Sequence, residues 1–245
     1  MKGVLLAGGS GSRLYPLTRV TNKHLLPVGK YPMIYHPLFR LKQAGVREVL
    51  IITGREHMGA VVNLLGSGAE LGLQMTYRVQ DESGGIAQAV GLAENFIGND
   101  TFLTLLGDNL FEDSLAGDAT AFAKNGELAR VLLKEVDNPS RFGVPVFGED
   151  KRIIGVEEKP AEPKSNYAVT GAYFYTHEVF NVIRNLKPSA RGEYEISDVN
   201  LHYAKEGKLA YGILHGAWQD AGTFESYPRA NTLAQDWELD FASLP

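Results

Sequence analysis

The sequence predicts an α/β fold with a Rossmann-like, three-layer mixed sheet, whose mostly parallel core carries added antiparallel strands. In the first part of the chain, short apolar runs alternate with amphipathic stretches in a βαβ order. A glycine-rich turn directly follows the first apolar run. From about residue 129 the apolar runs are separated by turn residues rather than by long helices, which favours antiparallel pairing.

The individual elements follow in chain order from apolar periodicity and from the residues that end helices. In the first part we predict strands at 3–7, 48–53, 74–79 and 101–106, and helices at about 33–44, 56–65 and 86–96. In the second part we predict strands at 129–136, 143–147, 152–157, 169–175 and 209–214, and helices at about 178–186, 196–205 and from 224. Pro37 lies inside the first predicted helix, where we expect it to kink the helix.

Composition bounds the class of ligand. The 245 residues include 44% hydrophobic ones, which is enough for a substantial core, and the net charge of −5 offers no broad attraction to nucleic acid polymers or acidic membranes. We therefore expect a small anionic ligand held by a few cations, and no polymer or membrane partner. The chain has no cysteine, so it has no thiolate nucleophile or disulfide. A glycine soon interrupts the first apolar run and no run reaches membrane-spanning length, so we expect a cytoplasmic location.

A phosphate site is predicted where the first strand ends. The segment Gly8-Gly9-Ser10-Gly11-Ser12-Arg13 leaves backbone N–H groups uncovered, and Arg13 together with Lys23, ten residues further on, supplies neutralising charge. A dinucleotide-binding turn is excluded because Leu14 stands where its third glycine is required, and the lysine of a P-loop is absent at the required interval. A glycine turn without a ligand is the alternative, and the two cations disfavour it.

Two acidic residues are candidate metal ligands. Asp108 follows the apolar strand 101–106 and Gly107, at the strand end where ligands of such sheets bind, and one or two carboxylates suit Mg²⁺. Asp220 lies just before a predicted helix start and is its natural partner. The alternatives are a turn aspartate at Asp108 and a turn or capping role at Asp220, and local spacing favours the capping role for Asp220. The sequence alone does not decide whether the two acids converge.

A third cation, Lys159, follows Glu158 at a predicted strand end, where the pair could bind a sugar and its phosphate or could simply be solvated. Arg191-Gly192-Glu193 has the pattern of a surface turn. The six histidines show no i, i+4 pairing, which disfavours zinc, and neither Ser10 nor Ser12 has a nearby base that would make it a nucleophile. We therefore expect chemistry by positioning and charge neutralisation, as in phosphoryl and nucleotidyl transfer.

Together these segments resemble the sugar-phosphate nucleotidylyltransferases, and within that family the thymidylyltransferases that act on glucose 1-phosphate. The resemblance covers nearly the whole chain, in segments 6–18 (LAGGSGSRLYPLT), 23–27 (KHLLP), 85–89 (GIAQA), 107–109 (GDN), 156–160 (VEEKP), 191–200 (RGEYEISDVN) and 218–223 (WQDAGT). Each segment alone is weak evidence, whereas their ordered combination is specific. The resemblance implies dTTP and α-D-glucose 1-phosphate as substrates, dTDP-glucose and pyrophosphate as products, Mg²⁺ as cofactor, and a place at the first step towards dTDP-rhamnose and related surface polysaccharide.

The resemblance also implies residue roles. Arg13, Lys23 and Lys159 would be catalytic, and Asp108 and Asp220 would bind the metal. The expected nucleotide-binding residues are Gly8, Gly9, Ser10, Gly11, Ser12, Arg13, Gln80, Gly85 and Asp108, of which Gln80 and Gly85 read the thymine. The expected sugar-phosphate residues are Gly143, Glu158, Lys159, Val169 and Tyr173. The chain would then be one nucleotidyltransferase domain, with a nucleotide-binding half at 1–111 and a sugar-phosphate half at 112–245.

Three departures from the family pattern stand out. Ser12 replaces a frequent threonine, and His24 replaces a more usual glutamine. Typical thymidylyltransferases continue past the position of Pro245 into a helical region with subunit contacts and a second, regulatory nucleotide site. We therefore expect no inhibition through that site, and homo-oligomerisation stays open. The remaining alternatives are a uridylyltransferase that uses UTP and a non-catalytic relative that binds sugar nucleotides for regulation.

Overall fold

The computed structural model describes residues 1–9 and 11–244, which form two compact units. The first unit contains residues 1–83, 104–116 and those from 216 onwards, and the second contains residues 84–103 and 117–215. The chain therefore enters each unit more than once. The predicted division into halves at residue 111 stays a prediction about function.

The structure contains thirteen strands and eight α-helices among the described residues. The strands are β1 (Lys2–Leu6), β2 (Pro27–Val28), β3 (Tyr31–Pro32), β4 (Glu48–Gly54), β5 (Gln74–Gln80), β6 (Phe102–Leu106), β7 (Asn109–Phe111), β8 (Ala129–Glu135), β9 (Gly143–Phe147), β10 (Ile153–Glu158), β11 (Tyr167–Tyr175), β12 (Leu209–Ile213) and β13 (Trp218–Asp220). The helices are α1 (Tyr35–Gln43), α2 (Met58–Leu65), α3 (Ile86–Gly91), α4 (Glu94–Ile97), α5 (Ala116–Lys124), α6 (Val179–Arg184), α7 (Ile196–Lys205) and α8 (Ser226–Ala234). Within the described residues, no helix is both long and apolar enough to cross a membrane.

The first unit is built on parallel strands. β1 pairs with β4 and β4 pairs with β5, both in parallel, while β6 lies on the other side of β1. Buried Val4 and Leu5 show why β1 forms a central strand, since both faces of such a strand are covered. The backbone N–H of Gly107 donates to the carbonyl of Leu6 at 2.9 Å, so the turns that follow β1 and β6 meet. This is the arrangement expected of strands that end at one edge of a sheet.

The second unit carries the antiparallel strands. β8 pairs in parallel with β12 but antiparallel with β11, and β9 pairs antiparallel with both β10 and β11. Its interior contains aromatic rings: Phe102 stacks on Phe180 at 5.6 Å between centroids and contacts Tyr175 at 6.0 Å. The predicted α/β class, with a parallel core and added antiparallel strands from about residue 129, is confirmed.

Several elements differ from the predicted ones. The helix predicted at 86–96 is two helices, α3 and α4, and the first of them ends at Gly91, a residue with low helix propensity. α1 begins at Tyr35, so Pro37 falls in the first turn, where its missing N–H would have no intrahelical acceptor. The reason for expecting a kink at Pro37 therefore does not apply. Helix α5 and the short strands β2, β3, β7 and β13 were not predicted.

Candidate active site

The glycine loop after β1 turns sharply at two glycines. Gly9 has φ 94° and Gly11 has φ 63°, conformations that side-chain-bearing residues rarely adopt. The carbonyl of Gly11 accepts from the N–H of Leu14 at 2.9 Å and from the Thr18 hydroxyl at 2.8 Å, which starts a 3₁₀ turn over Ser12–Leu14. That turn leaves Arg13 exposed. Ser10 lies outside the described residues, so its predicted role stays a prediction.

The base of the loop is tied to the segment that carries Lys23. The carbonyl of Ala7 accepts from the Asn22 amide at 3.2 Å and from the Thr53 hydroxyl at 2.9 Å. The Asn22 side-chain oxygen in turn accepts from the backbone N–H of His24 at 2.8 Å and so caps a 3₁₀ turn over Lys23–Leu25. Because Asn22 bonds to both segments, the glycine loop and Lys23 hold a fixed relative position.

Lys23 reaches Asp108, the residue predicted at the end of β6. Its Nζ lies 2.5 Å from Asp108 Oδ2, and the two side chains are only 12% and 10% exposed. The other oxygen of Asp108 accepts from the Asn109 amide at 3.0 Å, and Asn109 accepts from the Trp218 indole N–H at 2.8 Å. Although burial alone would raise it, the pKa of Asp108 lies below its ordinary value because the charge of Lys23 stabilises the carboxylate.

Asp220 is brought to Asp108 by the pairing of two short strands. β13 runs antiparallel to β7 with Asp220 opposite Asn109, and the N–H of Ala221 donates to the carbonyl of Asp108 at 2.8 Å. Burial, and then the negative charge of Asp108, raise the pKa of Asp220 above its usual value. The two acids therefore lie close enough for the charge of Asp108 to affect the pKa of Asp220.

The convergence of the acids is sharpest at Gly222. A Cβ placed on this glycine would lie 2.9 Å from Asp108 Oδ2, 2.9 Å from Asp220 Oδ1 and 3.5 Å from Arg13 Nη2. Both carboxylate oxygens thus border one space beside the Gly222 backbone, which a side chain would fill, and the guanidinium of Arg13 approaches the same point. Sequence reasoning did not decide this convergence, which the structure establishes.

The donor set at this point fits a magnesium ion. Two carboxylate oxygens border one space, and Mg²⁺ prefers one or two carboxylates with the rest of its shell from water and phosphate oxygens. Among residues 1–9 and 11–244, no three histidine, cysteine, aspartate or glutamate side chains form a metal-binding group. A cation held here would therefore depend on oxygen atoms that a phosphate or water supplies.

The two residues predicted to read the base lie in different units. Gln80 is the last residue of β5, and its Oε1 would lie 2.9 Å from a Cβ on Gly8, so the amide rests against the glycine loop. In the second unit, Gly85 has φ 101° and approaches Tyr194 so closely that a Cβ would lie 2.5 Å from the Tyr194 carbonyl oxygen. The N–H of Ala87 donates to that same carbonyl at 3.1 Å. Hence Gly85 is required both by its backbone angle and by close packing.

A second group of polar residues, some of them predicted, surrounds Glu158 at the end of β10. The Ser197 hydroxyl donates to Glu158 Oε2 at 2.5 Å. The other oxygen faces two cations, Arg191 Nη2 at 3.4 Å and Lys159 Nζ at 3.5 Å. A Cβ on Gly143 would lie 3.1 Å from the Ser197 oxygen and 3.7 Å from Glu158 Oε2. Three polar side chains, those of Ser197, Arg191 and Lys159, are thus grouped around the Glu158 carboxylate, and Gly143 lies beside it.

Lys159 completes this group, and the other two predicted sugar-site residues, Val169 and Tyr173, lie on β11. Lys159 has φ 45°, an uncommon angle for a lysine, and its side chain is 47% exposed. Val169 pairs with Gly143 in the register between β11 and β9. Tyr173 is buried, and its ring stacks on Tyr175 with 6.3 Å between centroids.

Sequence reasoning missed the role of Arg191 in this group. The predicted turn is present, since the N–H of Ser189 donates to the Glu193 carbonyl at 2.8 Å. However, the Arg191 guanidinium also contacts both oxygens of Glu195 at 2.9 Å and reaches Glu158. Residues 191–195 precede α7 and are not helical, so the i, i+4 spacing of Arg191 and Glu195 gave no signal of this contact. Asn22, Asn109, Trp218 and Ser197 were missed as well, because neutral polar residues carry no local signal of such contacts.

Comparison with known proteins identifies relatives over most of the chain. A family model described as nucleotidyl transferase matches residues 2–236. The chain is 47% identical over 238 residues to a glucose-1-phosphate thymidylyltransferase of Neisseria meningitidis, which covers 96% of this chain and 83% of the relative. It is 45% identical over 228 residues to the Mycobacterium tuberculosis protein of the same name, with 92% and 79% covered.

Solved structures agree with these relatives. A Bacillus anthracis crystal structure in complex with a sucrose, described as a candidate glucose-1-phosphate thymidylyltransferase, has a TM-score of 0.93 and 57% identity over 97% of this chain and 96% of that one. A UDP-glucose pyrophosphorylase complexed with UDP-glucose has a TM-score of 0.84 and 26% identity, and the match covers 94% of this chain and 97% of that one. The first likeness is closer in both fold and sequence.

Proposed function

Because the chain belongs to the nucleotidyl transferase family, we propose that it transfers the thymidylyl group of dTTP to α-D-glucose 1-phosphate, giving dTDP-glucose and pyrophosphate. The observation that carries this proposal is the approach of Asp108, Asp220 and Arg13 to one point beside the glycine loop. The names of the relatives described above support the choice of substrates. By the same resemblance, the reaction is the first step towards dTDP-rhamnose, in the cytoplasm, where dTTP is available.

The chemistry requires charge neutralisation rather than a strong base. A sugar phosphate above its second pKa of about 6 is already a dianionic nucleophile at neutral pH. In-line attack on the α-phosphorus brings negative groups together, and cationic side chains with loop N–H groups must offset their repulsion. In this proposal Gly8–Arg13 wrap the triphosphate, and Arg13 stabilises the departing pyrophosphate. Lys23 stabilises phosphate charge and keeps Asp108 ionised.

Asp108 and Asp220 would hold Mg²⁺, which when bound supplies positive charge to the triphosphate. The two residues contribute oxygens that border the same space, and the lowered pKa of Asp108 keeps this carboxylate ionised at any physiological pH. Gln80 and the backbone of Gly85 would read the thymine.

The acceptor would occupy the group around Glu158. Glu158 would accept hydroxyl groups of glucose, Lys159 would bind the sugar phosphate, and Gly143, Val169 and Tyr173 would line the pocket. Two cations facing one oxygen of Glu158 support this assignment, because such a group can exchange a carboxylate contact for a phosphate contact.

A UTP-dependent reaction is the second candidate. The likeness to a UDP-glucose pyrophosphorylase favours it, and residues that read a base through backbone and shape discriminate weakly between thymine and uracil. The thymidylyl reaction is preferred because the relatives with higher identity carry the thymidylyltransferase name.

The test is a pyrophosphate-release assay with purified protein, Mg²⁺, glucose 1-phosphate and each of dTTP, UTP, CTP, ATP and GTP, with the product identified by mass spectrometry. We expect dTDP-glucose as the main product, and we expect Asp220→Asn to remove most of the activity. A higher rate with UTP than with dTTP would favour the second candidate. Absence of any sugar nucleotide would contradict both and would indicate a non-catalytic relative.

A further inference from the structure

We infer that Gly222 is a positioning residue whose missing side chain lets Asp108 and Asp220 approach each other closely enough to share a cation. The inference depends on the proposed function only in assigning the cation a role in nucleotidyl transfer. It starts from the point 2.9 Å from an oxygen of each acid, where a Cβ on residue 222 would lie. Such distances are shorter than ordinary carbon–oxygen contacts of about 3.3 Å or more.

Backbone conformation does not explain a glycine at this position. Gly222 does not have a positive φ, so its backbone angles are open to other residues. By contrast, Gly9 and Gly11 need glycine for their positive φ angles alone. The requirement at Gly222 is therefore one of space, because the residue is buried beneath charged oxygens.

The neighbouring oxygens are held in place and cannot easily move aside. Asp108 is fixed through both oxygens, by Lys23 at 2.5 Å and by Asn109 at 3.0 Å. The Asp220 oxygen nearest to the space accepts from the N–H of Gly222 itself at 2.7 Å. An added methyl group would thus have to displace two carboxylates that are each held in place by hydrogen bonds.

The prediction that follows is specific to cation binding. Gly222→Ala introduces only one carbon and no charge, yet it should weaken the binding of a divalent cation by about 10- to 100-fold, as removal of a group that orients metal ligands does. Asp220→Asn should cause a loss of similar size by removing charge instead of adding volume. The double variant should then be little weaker than either single variant, because both changes act on one site.

Binding of Mn²⁺ to the full chain, followed by electron paramagnetic resonance without nucleotide, measures this directly. Gly59→Ala is the matched control, since this glycine lies in the same unit, has no positive φ, and a Cβ there would have no atom within 4 Å beyond its own helix backbone. We expect Gly59→Ala to bind Mn²⁺ like the unsubstituted protein. Wild-type affinity in Gly222→Ala, or no Mn²⁺ binding by the unsubstituted protein, would overturn the inference.

Failure of a variant to fold and absence of enzyme activity are two further outcomes. If Gly222→Ala does not fold, Gly222→Ala with Asp220→Ala, which removes one of the crowded oxygens, should fold; failure of both would overturn the inference in favour of a backbone requirement. If the unsubstituted protein binds Mn²⁺ and Gly222→Ala does not, but no sugar nucleotide forms in the activity assay, the role of Gly222 stands and the proposed function fails.

Discussion

Replacing Lys23 with methionine removes the positive charge beside Asp108 while keeping a side chain of similar length. Both members of this ion pair are nearly buried, with 12% and 10% of their side chains exposed. Breaking a buried pair by removing one partner costs about 3 to 5 kcal/mol, because the other charge stays desolvated and uncompensated. Against a total stability of about 5 to 15 kcal/mol for a typical protein, this is a large fraction.

The assay is urea unfolding at neutral pH with a chelator present, so that no divalent cation substitutes for Lys23. With a slope of about 2 to 3 kcal/mol per molar urea, the midpoint should fall by about 1 to 2.5 M. Arg55→Met is the matched control. Arg55 forms a 2.7 Å ion pair with Asp81, and the two side chains are 80% and 66% exposed. Exposed pairs contribute about 0 to 1 kcal/mol, so this midpoint should move little. Equal shifts in the two variants would refute the reasoning.

A second variant tests the cause of the loss. Adding Asp108→Asn to Lys23→Met should restore part of the lost stability, because the buried side chain at position 108 is then neutral. Burial without Lys23 would also raise the pKa of Asp108, so the deficit of Lys23→Met should narrow as the pH falls and the carboxyl takes up a proton. A double variant less stable than Lys23→Met would contradict this explanation.

Three further predictions concern single side chains. Lys159→Ala should lower the turnover rate by about 10²- to 10³-fold with an unchanged melting temperature, since the side chain is 47% exposed; full activity would remove its assigned role. Burial lowers the pKa of His24 from its usual 6.5 to about 3 in the folded protein. Below pH 6.5 the His24 side chain therefore takes up a proton in the unfolded state but not in the folded state, and the folded protein becomes less stable as the pH is lowered. From pH 7 to pH 5 the free energy of unfolding, measured with urea, should therefore decrease by about 2 kcal/mol more in the unsubstituted protein than in His24→Gln. Equal decreases in the two proteins would contradict this. Trp218→Phe keeps the ring but removes the N–H that donates to Asn109, and should cost about 1 kcal/mol in urea unfolding, whereas an unchanged midpoint would show that this bond does not contribute.

The sequence predicted most of what depends on local pattern. Strand β9 and helix α7 have the predicted bounds, because apolar periodicity and turn residues mark them clearly. The glycine loop was also predictable, since glycines beside a strand end and a nearby arginine leave few alternatives. Helix α5 was missed because its segment, AGDATAFAK, has only a weak apolar pattern.

What could not be predicted depends on contacts between distant segments. The spacing around Asp220 favoured a local turn role, and part of that role is real, since its Oδ1 accepts from the N–H of Gly222 at 2.7 Å. The same oxygen borders the space next to Asp108. A local hydrogen bond and a long-range contact therefore coexist on one atom, and the local pattern reveals only the first.

The long-range contact itself depends on two strands of three residues each. β7 and β13 are too short to show an alternating pattern, and about a hundred residues separate them along the chain. Their pairing nevertheless places Asp220 opposite Asn109, next to Asp108. Closing such a long loop costs conformational entropy that a pair of short strands cannot offset alone. The burial of Leu110 and Phe111 with the surrounding core of the first unit must supply the rest, so the position of the second acid follows from packing rather than from a motif.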